Sequence, residues 1–487
     1  MKDLQMDTLK TYLLFPALLL GFTACRNDTP PAAMPLPTMS SGQPAKTMPD
    51  AYLEGLYATS SAPGSDVYAL FDGEPANEWR TQPGAGPDEG IMLYFSNQQP
   101  LQIGSLEVTP VEGIFADTAE IQLYVNGRLD QKGLPGHRIR LSPLSAEESL
   151  SSIFIRFVKT GREAQKQRDE IDVHTFPPSA AVALKALTLY DRQMQPLHLA
   201  PPKRLHGQLM ASSSLAPETA YGPANLFDAR KEFAWVEGSA TAAGEGETLH
   251  FRFDQSVQIT AIQVWNGYQR SDDHFTANAR VRDFEFGADQ GPAGQYTLRA
   301  TKAGQKIPLA AAVTGQHFTL KIKSIYPGRT YKDLAISEIV FYDGQQPFVL
   351  VSDASTQNQQ ALRTKVAKSP LANVLDRRIS NVLHENETVT RQSFILRSDG
   401  TFVLYSMEVE PDDTESETLA DGNWELLQTD ASTATVKIFG KWNNLSESLD
   451  YYQGSSSQQV TRIFSDVLTI DHKTLQGRKM VSTFYLP

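Results

Sequence analysis

An internal repeat constrains this chain more than any other feature. Leu70-Phe71-Asp72, Trp79 and Phe95 recur, with the same spacing, as Leu226-Phe227-Asp228, Trp235 and Phe251. Residues 70–108 align with residues 226–264 without a gap, sharing Leu, Phe, Asp, Trp, Glu-Gly, Leu, Phe, Gln, Gln, Ile and Val. A self-match at fixed spacing over such a span means that one fold was duplicated. The approaches repeat too. Ala58-Thr59-Ser60-Ser61-Ala62-Pro63 matches Ala211-Ser212-Ser213-Ser214-Leu215-Ala216-Pro217, and Leu187-Thr188-Leu189-Tyr190-Asp191 matches Ile339-Val340-Phe341-Tyr342-Asp343. The copies therefore define two modules, residues 51–192 and 193–346.

Both copies read as β-structure. Leu249, Phe251 and Phe253 alternate with His250 and Arg252, the pattern of a half-buried strand. Val257 and Ile259 alternate, and Ile262 and Val264 resume one register later; Leu101, Ile103, Leu106 and Val108 do the same in the first copy. A shared slip predicts a bulge at one common place. Many short strands with Gly and Pro punctuation predict an all-β protein with two β-sandwiches. Beyond a polar linker, residues 347–370, a third region of residues 371–487 follows. Ser369-Pro370 is placed to start a helix carrying Leu371, Val374, Leu375, Val382 and Leu383 on one face. Phe394-Ile395-Leu396, Ser398-Asp399-Gly400 and Phe402-Val403-Leu404-Tyr405 predict a hairpin around an Asp-Gly turn. Further apolar runs at 424–427, 435–439, 467–470 and 480–486 predict a small antiparallel meander or barrel. With Asp421-Gly422-Asn423-Trp424 it resembles lipocalin-like domains of bacterial envelope proteins.

With 487 residues, several domains are expected. The net charge of -12 argues against nucleic acid, which is held chiefly through Lys and Arg on phosphate. The apolar run of residues 12–22 has the length of a signal-peptide core and is too short to span a bilayer. It ends Phe22-Thr23-Ala24-Cys25, which resembles a bacterial lipoprotein signal; the resemblance implies cleavage after Ala24 and lipid on Cys25, the one cysteine. The membrane contact would then be the lipid alone, in the bacterial cell envelope and at its outer membrane. Residues 25–50 hold six prolines from Pro30 to Pro49 and read as a tether.

The second copy carries a family resemblance. The 211–217 segment, Tyr221-Gly222-Pro223-Ala224-Asn225-Leu226-Phe227-Asp228, Trp235 and Ile336-Ser337-Glu338-Ile339 resemble the discoidin, or coagulation-factor C-type, domain, a galactose-binding-like jelly roll. Asn266-Gly267-Tyr268-Gln269-Arg270-Ser271, Asn278-Ala279-Arg280-Val281, Tyr326-Pro327-Gly328 and Tyr331-Lys332-Asp333 are similar to the glycan-binding translocation domain of NAD glycohydrolases. The resemblance covers residues 211–343 well and residues 58–191 weakly. It implies two jelly rolls, the first degenerate, and glycan recognition without catalysis by the second. It also implies one structural Ca2+ held by Asp228 and Glu338, whose counterparts in the first copy are Asp72 and Ala186. Oxygen donors from separate segments suit that ion.

Residues 264–281 run four residues longer than their counterpart, 108–121. Function gathers where a loop is elaborated on a shared scaffold. Tyr268 and Tyr331 are candidates to stack on a sugar ring. Asn266, Arg280, Arg282, Tyr326 and Asp333 are candidates to bond hydroxyls, with Arg329 in the same loop. The alternative is that these residues pin the loop to itself. Trp79 and Trp235 occur in both copies and read as core. Asp272-Asp273-His274 is too short a cluster to mark a metal. The seven acidic residues of 408–421 read as a solvated hairpin. No zinc motif, phosphate loop or nucleophile elbow occurs. A non-catalytic binding protein is expected, with a structural or protein-binding envelope lipoprotein as the alternative.

Overall fold

The computed structural model describes residues 48–487, apart from 75, 83–88, 97–100, 114–119, 146–147, 160–180, 240–242, 386–387, 412–414, 445–460, 480 and 487. Residues 1–47, which include Cys25 and most of the Pro-rich segment, lie outside the described residues. Residues 49–487 make one body. It is built almost wholly of strands, and among the described residues no helix is long and apolar enough to cross a membrane.

The first module packs two sheets face to face. One orders Leu199–Ala200, Ala51–Ala58, Gly90–Phe95, Ser152–Lys159, Glu120–Val125 and Arg128–Gly133. The other orders Pro196–Leu197, Ala183–Asp191, Ile103–Pro110 and Arg138–Arg140, with Trp79–Arg80 beside Ala183–Asp191. Inward residues of both sheets, among them Leu53, Leu93, Leu106, Ile155 and Leu189, share one core. Residues 196–200 complete both sheets, so the module ends near residue 200 rather than at 192.

In the second module two long strands, Thr248–Asn266 and Gln305–Tyr326, pass between the faces and link them into one network. Leu249, Phe251 and Phe253 point inward, while His250 and Arg252 face solvent. Their rings join Phe318 and Phe341, with Phe251 and Phe341 edge-on at 5.2 Å, the geometry that ring quadrupoles favour. Gln346–Ser352 pairs with both Lys203–Ala211 and Leu334–Asp343, so this module runs past 346 to about residue 352.

The duplication explains details of both modules. Register breaks after Ile103 in one copy and after Ile259 in the other, at the bulge the sequence predicts. Trp79 and Trp235 are fully buried; one indole N–H donates to Ser61 Oγ and the other to the Ser213 carbonyl, each at 3.0 Å. The alignment is not ungapped, however. Ala58 pairs with Ile91, and its counterpart Ala211 pairs with Leu249, whereas the sequence sets Leu93 against Leu249. The strand has slipped by two residues, which keeps every side chain on its own face and so leaves the hydrophobic pattern unchanged.

The third module is an eight-stranded up-and-down meander from Ile379–Glu385 to Phe484–Tyr485. Asn381 Nδ2 on the first strand donates to the Thr483 carbonyl beside the last at 2.7 Å, which brings the two ends together. The expected Asp-Gly turn joins Thr388–Leu396 to Thr401–Val409, with Gly400 at φ 86°. Two expectations fail. The linker instead contains the end of a strand and a helix, Ala354–Val366, whose Val366 enters the third core. The helix expected after Ser369 is one 3-10 turn, Pro370–Asn373, and Val382 and Leu383 lie on a strand. Asp376, at φ 60°, ends the turn, and its N–H bonds the Leu396 carbonyl.

Candidate functional site

The elaborated loop turns inward. Asn266 is fully buried; its amide donates to the carbonyls of Val281 (2.7 Å) and Arg299 (3.3 Å) and accepts from Val281 N–H (2.9 Å). Those bonds leave it no hydroxyl to recruit. Tyr268 is 4% exposed and packs with Ala234, Val236 and Ala335, its hydroxyl buried without a partner. A ring so enclosed cannot stack on a sugar. Arg280 donates to the carbonyls of Phe275 (2.7 Å) and Pro327 (3.0 Å), tying the two loops together. The Tyr326 hydroxyl donates to the Leu298 carbonyl at 3.0 Å. Asn266, Tyr268, Arg280 and Tyr326 therefore hold the scaffold. Arg282, whose guanidinium lies 3.6 Å from Asp283, and Tyr331, 53% exposed, remain on the surface, with Asp333 half-buried. The loops do meet, since the N–H groups of Arg329, Thr330 and Tyr331 bond the carbonyls of Thr276 and Ala277.

What the longer loop contacts is the third module. Arg270, 1% exposed, donates to the Glu232 carbonyl at 3.0 Å and to Asn423 Oδ1. Tyr221 stacks on Phe439, centroids 5.9 Å apart. His274 lies on a short helix, Asp272–Ala277, capped by Ser271. Burial, with Arg270 and Lys441 nearby, pushes its imidazole down to about 3. Asp272 and Asp273 pair with Lys302 and Arg329 of their own module, and among the described residues no three His, Cys, Asp or Glu side chains are grouped to hold a metal.

Asp228 and Glu338 do come together. Asp228 Oδ1 accepts the Arg230 N–H at 2.8 Å, the same turn that Asp72 makes with the Glu74 N–H at 2.8 Å. Glu338 is 2% exposed, and among the described residues its Oε2 has no hydrogen-bond partner. Burial lifts both carboxyls well above the usual range, and Asp228 raises Glu338 further. In the first copy, Trp79 pairs with Leu184 as Trp235 pairs with Ile336, which confirms Ala186 as the counterpart of Glu338. Two hard oxygen donors and one orphaned buried oxygen suit a Ca2+ ion completed by backbone carbonyls.

A further cavity lies elsewhere, where all three modules meet. A cavity of about 390 Å³ is walled by Glu54, Tyr57, Tyr94 and Phe154 of the first, Lys231, Glu232, Gln263 and Trp265 of the second, and Arg397, Asp421 and Lys441 of the third. Its volume falls in the roughly 300–1,000 Å³ of small-ligand sites. Glu54, Gln263 and Tyr342 form a buried cluster: Gln263 Nε2 donates to Glu54 at 2.9 Å, and the Tyr342 hydroxyl lies 2.7 Å from Gln263 Oε1 and 3.1 Å from Glu54. The hydroxyl has one proton for two acceptors, so both contacts are satisfied when Glu54 is protonated. Burial raises the Glu54 pKa in the same direction. Lys231 Nζ stands 3.4 Å from the Tyr94 ring centroid and 4.2 Å from that of Trp265. No sequence pattern singles out these residues. The one available signal was that Arg230-Lys231-Glu232 replaces Glu74-Pro75-Ala76 of the first copy.

A search of curated proteins returned no match. Among solved structures, a family 32 carbohydrate-binding module from C. perfringens NanJ, in complex with galactose, is similar over 28% of this chain and 93% of that one, at 11% identity and TM-score 0.22. The equivalent module of AlyQ, in complex with 4,5-unsaturated mannuronic acid, covers 28% and 95% at 15% identity and TM-score 0.21. The paired modules of Clostridium perfringens ZmpB cover 60% and 92% at 10% identity and TM-score 0.20. By sequence, residues 203–342 match the family described as the NAD glycohydrolase translocation F5/8 type C domain, and the second module carries the signature of that discoidin-like family.

Proposed function

We propose that this protein binds a glycan without catalysis, as a bacterial envelope protein anchored by lipid on Cys25, and that the binding site is the cavity at the three-module junction. One observation carries the reading: one cavity combines aromatic walls with amide, carboxyl and ammonium groups, the mixture that fixes a sugar's apolar face and its hydroxyls. The family match of the second module points to the same ligand class. Tyr331 and Arg282 contribute no walls to this space.

Ala303 is exposed at the cavity rim, so Ala303→Trp fills the mouth with little cost to packing. In a glycan array followed by calorimetry, this variant is expected to lose binding at least roughly tenfold with an unchanged melting temperature. Binding untouched by Ala303→Trp removes the cavity as the site; an array on which no saccharide binds removes the function. Cys25→Ala is expected to move the protein from the membrane to the soluble fraction, and retention on the membrane would overturn the anchor.

A further inference from the structure

We infer that the junction cavity selects a carboxylate-bearing saccharide, with the Lys231 ammonium as counter-ion to the sugar's acid group. The inference rests on the reading of the cavity as a saccharide site. It starts from the charge left over once the walls have paired. Arg230 pairs with Glu232 at 3.3 Å, Lys302 with Asp272 at 2.8 Å, and Arg397 with Glu89 at 3.6 Å. Glu54 is hydrogen-bonded by Gln263 and lies against Tyr342. Lys231 is different. Among the described residues its Nζ has no hydrogen bond and no ion pair, only two ring faces.

An ammonium between aromatic rings recovers part of its lost hydration. Its N–H groups are strong donors, and ring faces satisfy them poorly. Burial draws the Lys231 pKa down to about 8, against the opposing pull of Glu54, Glu338 and Glu232, none of which the ammonium reaches at hydrogen-bond distance among the described residues. A carboxylate entering the cavity would supply the missing acceptor. A neutral sugar would leave the ammonium as it is, so the preference should be read in the ratio of the two affinities.

The test is calorimetry on the purified protein with matched pairs: galacturonan against galactan oligosaccharides, and sialyllactose against lactose. One acidic member is expected to bind at least roughly tenfold tighter than its neutral partner, the worth of one charge-assisted hydrogen bond. In Lys231→Met that ratio is expected to fall to about one; removal of a buried charge should leave the melting temperature the same or higher, so loss of folding is not at issue. Equal affinity for both members, with both blocked by Ala303→Trp, overturns the acid preference and leaves the glycan site standing. A preference that survives Lys231→Met overturns the role of Lys231. Failure of every saccharide to bind overturns both readings.

Discussion

Asp228 and Glu338 pose a problem of charge at the scale of single side chains. Glu338 is buried and Asp228 half-buried, both have raised pKa values, and one Glu338 oxygen has no hydrogen-bond partner among the described residues. The folded protein therefore keeps protons that the unfolded chain has already released. The cost of the pair is full above the raised pKa values and fades as pH falls through them. We propose that a Ca2+ ion between them relieves this cost above those values. Calcium at about a hundred times its Kd is expected to add about 2.7 kcal/mol of stability. Glu338→Gln is expected to raise the melting temperature in chelator and to abolish the calcium increment. Differential scanning calorimetry with and without calcium checks both. A calcium increment that persists in Glu338→Gln would move the ion elsewhere.

At the scale of the element, strands were legible because burial alternates along them, as Leu249, Phe251 and Phe253 against His250 and Arg252 demonstrate. A two-residue slip keeps that alternation, so it could not be read. The Ala354–Val366 helix was hidden because only Leu362 and Val366 reach the core and the rest is polar. The loop of residues 267–278 was legible as an elaboration but not in its use. Its partners, Asn423 and Phe439, lie far along the chain, and no local pattern announces them. The same holds for the cavity, whose walls come from residues as distant as Glu54 and Lys441. Arg270→Ala tests the docking role. It strands the Glu232 carbonyl and Asn423 Oδ1, and a lost hydrogen bond to a charged group costs about 1.5–3 kcal/mol. The expected result is a lower melting temperature, with faster hydrogen exchange in residues 267–278 and 421–425 while the core strand Phe318–Ile322 region stays protected. Exchange confined to residues 267–278 would mean that the loop only pins itself.

At the scale of the whole molecule, the duplicated framework is put to two uses. Each copy closes its entrance with a hydroxyl–carboxylate clasp. Thr59 and Ser60 donate to Glu89 Oε2 at 2.5 and 2.8 Å, and Ser212 and Ser213 donate to Glu247 Oε2, the latter at 2.8 Å. The repeated Ser/Thr motif at the entrance of each copy exists for this clasp. Only the first copy extends it. Glu89 Oε1 also meets Arg378 at 3.4 Å and Arg397 at 3.6 Å, cations of the third module that are about as buried as the carboxylate itself. Arg156 reaches Glu417 at 3.0 Å across the same boundary, so Glu417 of the acidic segment faces a neighbour and is not merely solvated. The pair with Glu89 holds Arg397 in the wall of the junction cavity. The duplication supplies an internal control. Glu89→Gln keeps the bonds to Thr59 and Ser60 but removes the charge opposite two buried arginines, and breaking a buried pair from one side costs about 3–5 kcal/mol. Glu247→Gln makes the same change where, among the described residues, no cross-module cation is present, and about 1 kcal/mol is the scale for one weakened hydrogen bond. Thermal melts are therefore expected to fall much further for Glu89→Gln than for Glu247→Gln, and only Glu89→Gln should weaken saccharide binding at the junction. Equal losses in the two variants would make the clasp a local feature of each sandwich and would dissolve the argument that the first module is docked to the third through it.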